Sequence, residues 1–145
     1  MHSRAYLGIK EAMAAVKAIM AEADRVPGRP IATTVLDHRG DMVCFASMGE
    51  VNTALARQNA FKKAYTAACM RVNVRDMAAR AVAQGIGSVA NYGNPNFTGG
   101  AGGLVVMHPS GETIMGGIGV SGRSNEEDEE LALIGLAALQ QAWAS

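Results

Sequence analysis

The chain has 145 residues, of which 49% are hydrophobic and 18% charged, so it is long enough for one compact core and too short for two ordinary domains. Lys and Arg together number 13, as do Asp and Glu, and the formal net charge of +0 provides no field that would attract nucleic acid or an anionic membrane. We therefore predict a single domain over residues 1–145, with no nucleic-acid or membrane partner.

No targeting or membrane segment is predicted. The N-terminal sequence MHSRAYLGIK lacks both the basic and apolar regions of a signal peptide and a cleavage site of small residues. No stretch approaches the roughly 20 apolar residues that cross a bilayer, so we expect a cytoplasmic protein. Cys44 and Cys69 lie in apolar and alanine-rich stretches without the spacing of a metal site, which is typical of small core residues.

The first part of the chain predicts a helix followed by a β-hairpin. Apolar residues recur at helical steps at Ile9, Met13, Val16 and Met20. The prolines of the segment RVPGRP, at 25–30, end this helix. Residues 31–36 (IATTVL) and 42–48 (MVCFASM) are rich in strand-forming side chains and flank the turn DHRGD at 37–41.

Two helices and a long loop are predicted next. Residues 52–84 are rich in alanine and free of glycine, but VNVRD at 72–76 interrupts the helical pattern and offers Asn73 as an N-cap. Residues 85–103 are so rich in glycine that we expect no regular element there. A loop of this length is usually either functional or disordered.

A second hairpin follows the loop. Residues 103–108 (GLVVMH) and 113–120 (TIMGGIGV) are apolar and flank PSGE at 109–112, a group of turn-forming residues. The sequence therefore predicts two more strands joined by a tight turn.

The last helix is predicted from a capping box. Ser124 and Glu127 have the S-x-x-E spacing of that motif, and apolar residues continue at helical intervals as far as Trp143. Further apolar residues occupy the other side of this helix, at Leu133, Leu136 and Ala137. We therefore expect the helix to be covered on one side by the core and on the other by a second subunit.

Gly117, Gly119 and Gly122 reproduce the G-x-G-x-x-G spacing of a dinucleotide-binding turn. The acidic run at 126–130 follows, and its charge opposes an anion at the point where a phosphate site presents bare helix amides. These acids favour their own helix N-terminus instead. We interpret Gly117 and Gly119 as strand positions that another backbone or a ligand approaches closely.

Lys63 is the main candidate for site chemistry. It points about 100° away from Lys62 on the predicted helix, so it can lean over the sheet while Lys62 is solvated. An enclosed Lys63 would bind a carboxylate or, with a lowered pKa, act as a base, whereas an exposed one would only extend along the surface. Arg57 on the same helix would clamp a carboxylate, and Asp128 or Glu129 would serve as the acid.

The glycine-rich loop is interpreted as a ligand lid. Tyr92 and Phe97 would supply stacking or apolar cover over a ligand. The glycines would let backbone amides approach the ligand closely, at Gly99, Gly100, Gly102 and Gly103.

Four stretches resemble the GlcG/HbpS family in order and spacing, namely VLDHRGDMVCFASM, AFKKAYTA, the hairpin from GGLVV to IMGGIGVSG, and EEDEELALIGLAAL. The resemblance implies an α/β (α+β) fold, a profilin-like layer in which helices pack on an antiparallel sheet. Such a sheet has about five strands, in the order α-β-β-α-α-β-β-α plus one strand that the sequence does not locate. The resemblance also implies homo-oligomers, from dimers to octamers.

Members of this family include haem-binding proteins, some of them linked to haem degradation, the C-terminal domain of PduO-type corrinoid adenosyltransferases, and companions of catabolic operons. The resemblance therefore implies a pocket for a small or planar ligand, with haem as the cofactor. Haem iron needs an axial donor, for which His38 and His108 are the candidates. The alternative is that His38 is an ordinary turn residue and His108 an ordinary residue at the end of a strand. No metal site with three protein ligands is predicted.

Three functions remain open from the sequence. The first is a small-ligand-binding protein of the GlcG/HbpS type that holds haem or another planar cofactor. The second is an enzyme acting on a small organic acid by proton transfer, lyase or hydrolytic chemistry, with Lys63 in the site. The third is an oligomeric scaffold that holds no ligand.

Overall fold

A computed structural model of the chain describes residues 4–49 and 54–144. The elements are α1 (Ile9–Arg25), β1 (Ala32–Asp37), β2 (Met42–Ser47), α2 (Ala54–Met70), α3 (Val74–Ala83), a short 3-10 helix (Val89–Tyr92), β3 (Gly103–Met107), β4 (Ile114–Ser121) and α4 (Asn125–Ala144). The predicted order of helices and strands is confirmed. The predicted start of the second helix, at residue 52, lies outside the described residues.

The strands form one antiparallel sheet in the order β2-β1-β4-β3. The described residues contribute four strands, one fewer than the five that the family resemblance implies. Within those same residues, none of the helices is long and apolar enough to cross a membrane. Because β1 and β4 are the central pair, the two hairpin turns, 38–41 and 108–113, lie side by side at one end of the sheet.

One face of the sheet packs against α1 and α4 to form the main core. The predicted apolar stripe of α1 is partly wrong, since Ile9 is 56% exposed and Met13 40% exposed. The buried face instead carries Ala12, Ala15, Val16, Ile19 and Ala23. Gly135 of α4 leaves room for the Ile19 side chain, since an added Cβ there would lie 2.4 Å from it.

The other face of the sheet packs against α2 through glycine. A Cβ at Gly117 would lie 2.2 Å from the Ala64 carbonyl oxygen, and one at Gly119 would lie 1.9 Å from that of Ala60. The glycines of the G-x-G-x-x-G sequence therefore allow a helix backbone to approach the strand, which was one of the two predicted alternatives.

Side-chain capping is as predicted in α4 but not in α3. The Glu127 amide donates to Ser124 Oγ at 3.2 Å, and the Ser124 amide donates to the Glu127 carboxylate at 3.4 Å, which confirms the capping box. Asn73 occupies the N-cap of α3, but its side chain makes no cap hydrogen bond. Its Oδ1 accepts from the Val105 amide at 3.0 Å, and so satisfies a donor on edge strand β3.

The long loop folds back onto α2. It contains one short 3-10 helix, which the glycine content did not predict. The Thr98 amide donates to Thr66 Oγ1 at 3.0 Å, and Val89 is buried against α3 together with Met77. Residues 85–103 are therefore fixed to the body of the molecule at several points.

Candidate functional site

Lys63 is enclosed between α2 and the end of β4. Its residue is only 5% exposed, and its ammonium donates to the Val120 carbonyl oxygen at 2.9 Å and to Asp128 Oδ2 at 3.1 Å. We call Lys63, Asp128, Val120, Gly100 and Gly102 the Lys63 cluster. The alternative of a solvated surface lysine is wrong.

The glycine-rich loop covers the Lys63 ammonium with backbone. A Cβ at Gly102 would lie 3.2 Å from Lys63 Nζ and 2.6 Å from the Val120 oxygen, and one at Gly100 would lie 3.4 Å from Lys63 Cε. The Val120 amide also donates to the Gly102 carbonyl at 2.9 Å. The loop thus packs onto the lysine itself, and none of the concavities described below is lined by Lys63.

Asp128 holds the opposite charge of this cluster and is 1% exposed. Burial raises the pKa of its carboxyl, and this effect exceeds the opposing effects of the Lys63 charge and of the Arg123 amide, which donates to Oδ1 at 3.0 Å. The pair joins α2, β4 and the first turn of α4. A buried ion pair whose hydrogen bonds are satisfied on both sides fixes the geometry of the elements that it links.

The other predicted chemical residues on these helices lie apart from the pair. Glu129 forms an ion pair with Arg75 of α3. Arg57 is exposed on α2. The structure therefore brings together Lys63 and Asp128, but it does not bring Arg57 or Glu129 to them.

Tyr92 and Phe97 belong to an aromatic cluster on the outside of α2. The ring centroids of Tyr92 and Phe97 are 6.4 Å apart, and those of Phe97 and Tyr65 are 6.0 Å apart. Gly99 packs near Val89, and a Cβ at Gly103 would lie 2.4 Å from the Lys63 carbonyl oxygen. These residues hold the loop in place, and a shallow concavity of about 250 Å³ beside Phe97 is the space that they border.

His38 and His108 lie at the opposite end of β4 from Lys63, in the two adjacent hairpin turns. Two concavities open there and share Arg4. The first, of about 360 Å³, we call the hairpin-end concavity; it is lined by Arg4, His38, Ala68, Cys69, Arg71 and Ile114. The second, of about 370 Å³, is lined by His108 and the turn that contains it.

The two histidines differ in their hydrogen bonding. Nδ1 of His38 is buried and has no hydrogen-bond partner within residues 4–49 and 54–144. Nδ1 of His108 instead lies 3.1 Å from Ser110 Oγ and accepts from the Ser110 amide at 3.2 Å. The rings also have aromatic neighbours, Tyr6 at 5.3 Å from His38 and Trp143 at 5.5 Å from His108.

Asp37 fixes the turn that presents His38. Its Oδ1 accepts from the amides of Arg39 at 2.8 Å and of Asp41 at 3.1 Å, and its Oδ2 lies 3.1 Å from the Arg39 guanidinium. Burial acts to raise the pKa of Asp37, but these amides and the guanidinium together outweigh burial and lower it. The ionised carboxylate therefore stabilises the conformation of the turn.

Sequence reasoning missed Arg4 and Arg71, and its interpretation of Cys69 as a core residue is wrong because Cys69 is exposed. Arg4 comes to His38 from the segment before α1, and Cys69 and Arg71 come from the end of α2. Arg71 carried one local signal, since it directly precedes the segment 72–76 that was predicted to interrupt the helical pattern. The described residues contain no group of three or more His, Cys, Asp or Glu side chains placed to hold a metal ion. An axial donor for a metal that arrives inside a cofactor is a different requirement, because it needs one side chain.

The fold defines a class of α+β proteins in which helices cover both faces of a four-stranded antiparallel sheet. The family model described as "Haem degrading protein HbpS-like" matches residues 7–137, so the chain belongs to this HbpS-like family. The family predicted from the sequence is thereby confirmed. No curated protein sequence matches the chain.

Solved structures with this fold include three that cover almost the whole chain. A double mutant of Streptomyces reticuli HbpS is 24% identical, with 94% of this chain and 89% of that chain covered and a TM-score of 0.82. Klebsiella pneumoniae protein ORFY is 19% identical, with 97% of both chains covered and a TM-score of 0.82. A PduOC:heme complex is 22% identical, with 92% and 95% covered and a TM-score of 0.82. At these identities the likeness shows the fold.

Proposed function

We propose that this protein binds a small planar ligand in the hairpin-end concavity, with haem as the ligand and His38 as the axial donor. The observation that carries the proposal is the buried His38 Nδ1, which lacks a hydrogen-bond partner in the described part of the chain. Most buried polar atoms have a partner, so this exception marks a ring whose hydrogen bonds are incomplete, and His38 also lines the concavity. Imidazole nitrogen is a common axial ligand of haem iron.

The surroundings of His38 fit such a group. The concavity of about 360 Å³ is within the range of small-molecule sites and combines apolar side chains, Ala68 and Ile114, with polar ones. Tyr6 packs its ring against His38 and restricts its orientation. When bound, haem would supply iron chemistry, and the chain would supply the donor nitrogen and the enclosing surface.

Family membership points to the same ligand. The family description names haem degradation, and one solved neighbour is a haem complex. The sequence resemblance predicted haem for the same reason, but it did not select between His38 and His108. The hydrogen bonding favours His38 over His108 for this proposal, because Nδ1 of His108 is already engaged by Ser110.

The enzyme hypothesis, in which Lys63 acts as base or anchor, has no supporting observation among the described residues. A base must reach its substrate, whereas the Lys63 ammonium is enclosed and bonded to Val120 and Asp128. That hypothesis, the single-domain extent of 1–145, and assembly into homo-oligomers stay predictions. For assembly, the relevant surface is the α4 face where Leu133 is 51% exposed.

Haem titration followed by the Soret band tests the proposal. Wild-type protein should give a shifted Soret band that saturates at one haem per chain, and His38→Ala should lose the shift or weaken binding at least tenfold. His108→Ala is the matched control, since it removes the neighbouring imidazole but leaves the hairpin-end concavity. A normal shift in His38→Ala with loss in His108→Ala would reject the assignment, and no shift in the wild type would reject haem.

A further inference from the structure

Arg71 has a backbone conformation that is unusual for its residue type. It follows Met70, the last residue of α2, with φ of 62°, and it is the only residue other than glycine with positive φ in the described ranges. Its amide donates to the Ala67 carbonyl at 3.0 Å and closes the helix. Glycine or asparagine usually ends a helix in this way, because a longer side chain is disfavoured in the left-handed region. The position therefore carries an arginine at a cost in stability.

Arg71 lines the hairpin-end concavity, and a second arginine, Arg4, lines it as well. Arg4 donates to the Ile114 carbonyl oxygen, and neither arginine forms an ion pair with a carboxylate of residues 4–49 or 54–144. Among the described residues, therefore, no carboxylate pairs with either arginine beside this concavity. In a chain with a formal net charge of +0, this local excess selects for a negatively charged guest.

We propose that Arg71 is the specificity residue of this concavity and binds a carboxylate on the edge of the planar ligand. The proposal deepens the proposed function and rests on it. His38 would contact the centre of the planar ligand, and Arg71 would favour ligands with carboxylate groups on their edge over neutral ligands of the same shape. Guanidinium suits this task because its two parallel N–H donors match both oxygens of a carboxylate. Arg4, already bonded to a carbonyl, contributes charge.

Metal-free protoporphyrin IX and its dimethyl ester are the probes that test Arg71 apart from the His38 nitrogen. The ester keeps the planar ring and removes both negative charges. Wild-type protein should bind the free acid about tenfold more tightly than the ester, as expected for a charge-assisted hydrogen bond. Arg71→Gly should lose most of this preference, and the charge of Arg4 should account for what remains.

Two further variants complete the experiment. Arg71→Lys keeps the charge without the paired donors and should recover only part of the preference. Arg80→Gly, which removes an exposed arginine of α3 outside the concavity, should keep the wild-type preference. Porphyrin fluorescence measures the affinities, and circular dichroism on heating shows that each variant is folded.

The outcomes separate the two proposals. Equal wild-type affinity for free acid and ester, or an unchanged preference in Arg71→Gly, overturns the role of Arg71 whatever haem does. A preference that depends on Arg71, combined with a Soret band indifferent to His38, supports the carboxylate site and rejects the axial donor. If neither haem nor either porphyrin binds the wild type, both proposals are rejected together.

Discussion

The Lys63 cluster and the hairpin-end concavity both contain basic side chains, but the interactions of those side chains are complete in the first and incomplete in the second. In the Lys63 cluster each charged group has partners, and glycine backbone fills the space around the ammonium. At the hairpin end, the buried His38 Nδ1 has no hydrogen-bond partner, and Arg4 and Arg71 have no carboxylate partner, within the described residues. A buried charge therefore indicates a ligand site only where its interactions are incomplete.

Breaking the ion pair should give the largest effect. Lys63→Met leaves the Asp128 carboxylate buried without its counter-charge, and we expect a loss of about 3–5 kcal/mol in the free energy of unfolding, measured by urea denaturation. The double variant Lys63→Met/Asp128→Leu removes both charges and should regain much of the loss. A loss in the double variant as large as that in the single one would contradict the structural role of the pair.

The same single variant should become relatively more stable in acid. Burial already raises the pKa of Asp128 above the ordinary 3.8, and removal of Lys63 raises it further. A carboxyl whose folded pKa is raised favours the folded state below its unfolded pKa and loses that contribution as pH rises through the folded pKa. The deficit of Lys63→Met should therefore be small near pH 3 and grow toward neutrality.

An intermediate effect is expected at the turn that presents His38. Asp37→Asn removes a charge that accepts two amides and a guanidinium, and should cost about 1–2 kcal/mol at pH 7 by denaturant unfolding. Here the folded pKa is lowered below 3.8, so the contribution is present above pH 3.8 and is lost as pH falls through the folded pKa. Asp41→Asn is the control, because its exposed carboxylate should contribute less.

The smallest effect, and the only gain, is expected at Arg71. Arg71→Gly should raise the free energy of unfolding by about 0.5–1 kcal/mol, because glycine adopts the left-handed conformation without penalty. A stability gain together with loss of the carboxylate preference would show that this residue serves binding at the expense of the fold. A clear loss of stability would mean that the side chain contributes packing instead.

Local signals in the sequence predicted much of the fold. The capping box of Ser124 and Glu127 and the two hairpin turns depend on residues close in the chain, and each was placed correctly. Asn73 shows the limit of such signals: its position as a cap was right, but its side chain serves a strand amide distant in sequence. Likewise, Ile19 rather than Ile9 or Met13 is buried in α1, because Ile19 packs against Gly135 of the distant helix α4.

The candidate site was less predictable for the same physical reason. Lys63 and Asp128 were both singled out, but the sequence could not show that they satisfy each other across the molecule. His38 was predicted as a candidate axial donor, but the argument for it depends on an Nδ1 without a hydrogen-bond partner and on arginines from two other segments of the chain. Arg71 gave no sequence signal of its conformation, because a positive φ is expected of glycine and not of arginine.

Helix α2 has almost no freedom to slide along the sheet, since its carbonyl oxygens face Gly117 and Gly119 with no side chain between them. Its C-terminal end nevertheless forms one wall of the hairpin-end concavity, at Ala68 and Cys69. That wall is therefore rigid, and we expect any adjustment to a guest to fall on the rim at Arg4, which precedes α1. Amide hydrogen exchange should slow at the rim when a guest is bound and stay unchanged in the wall.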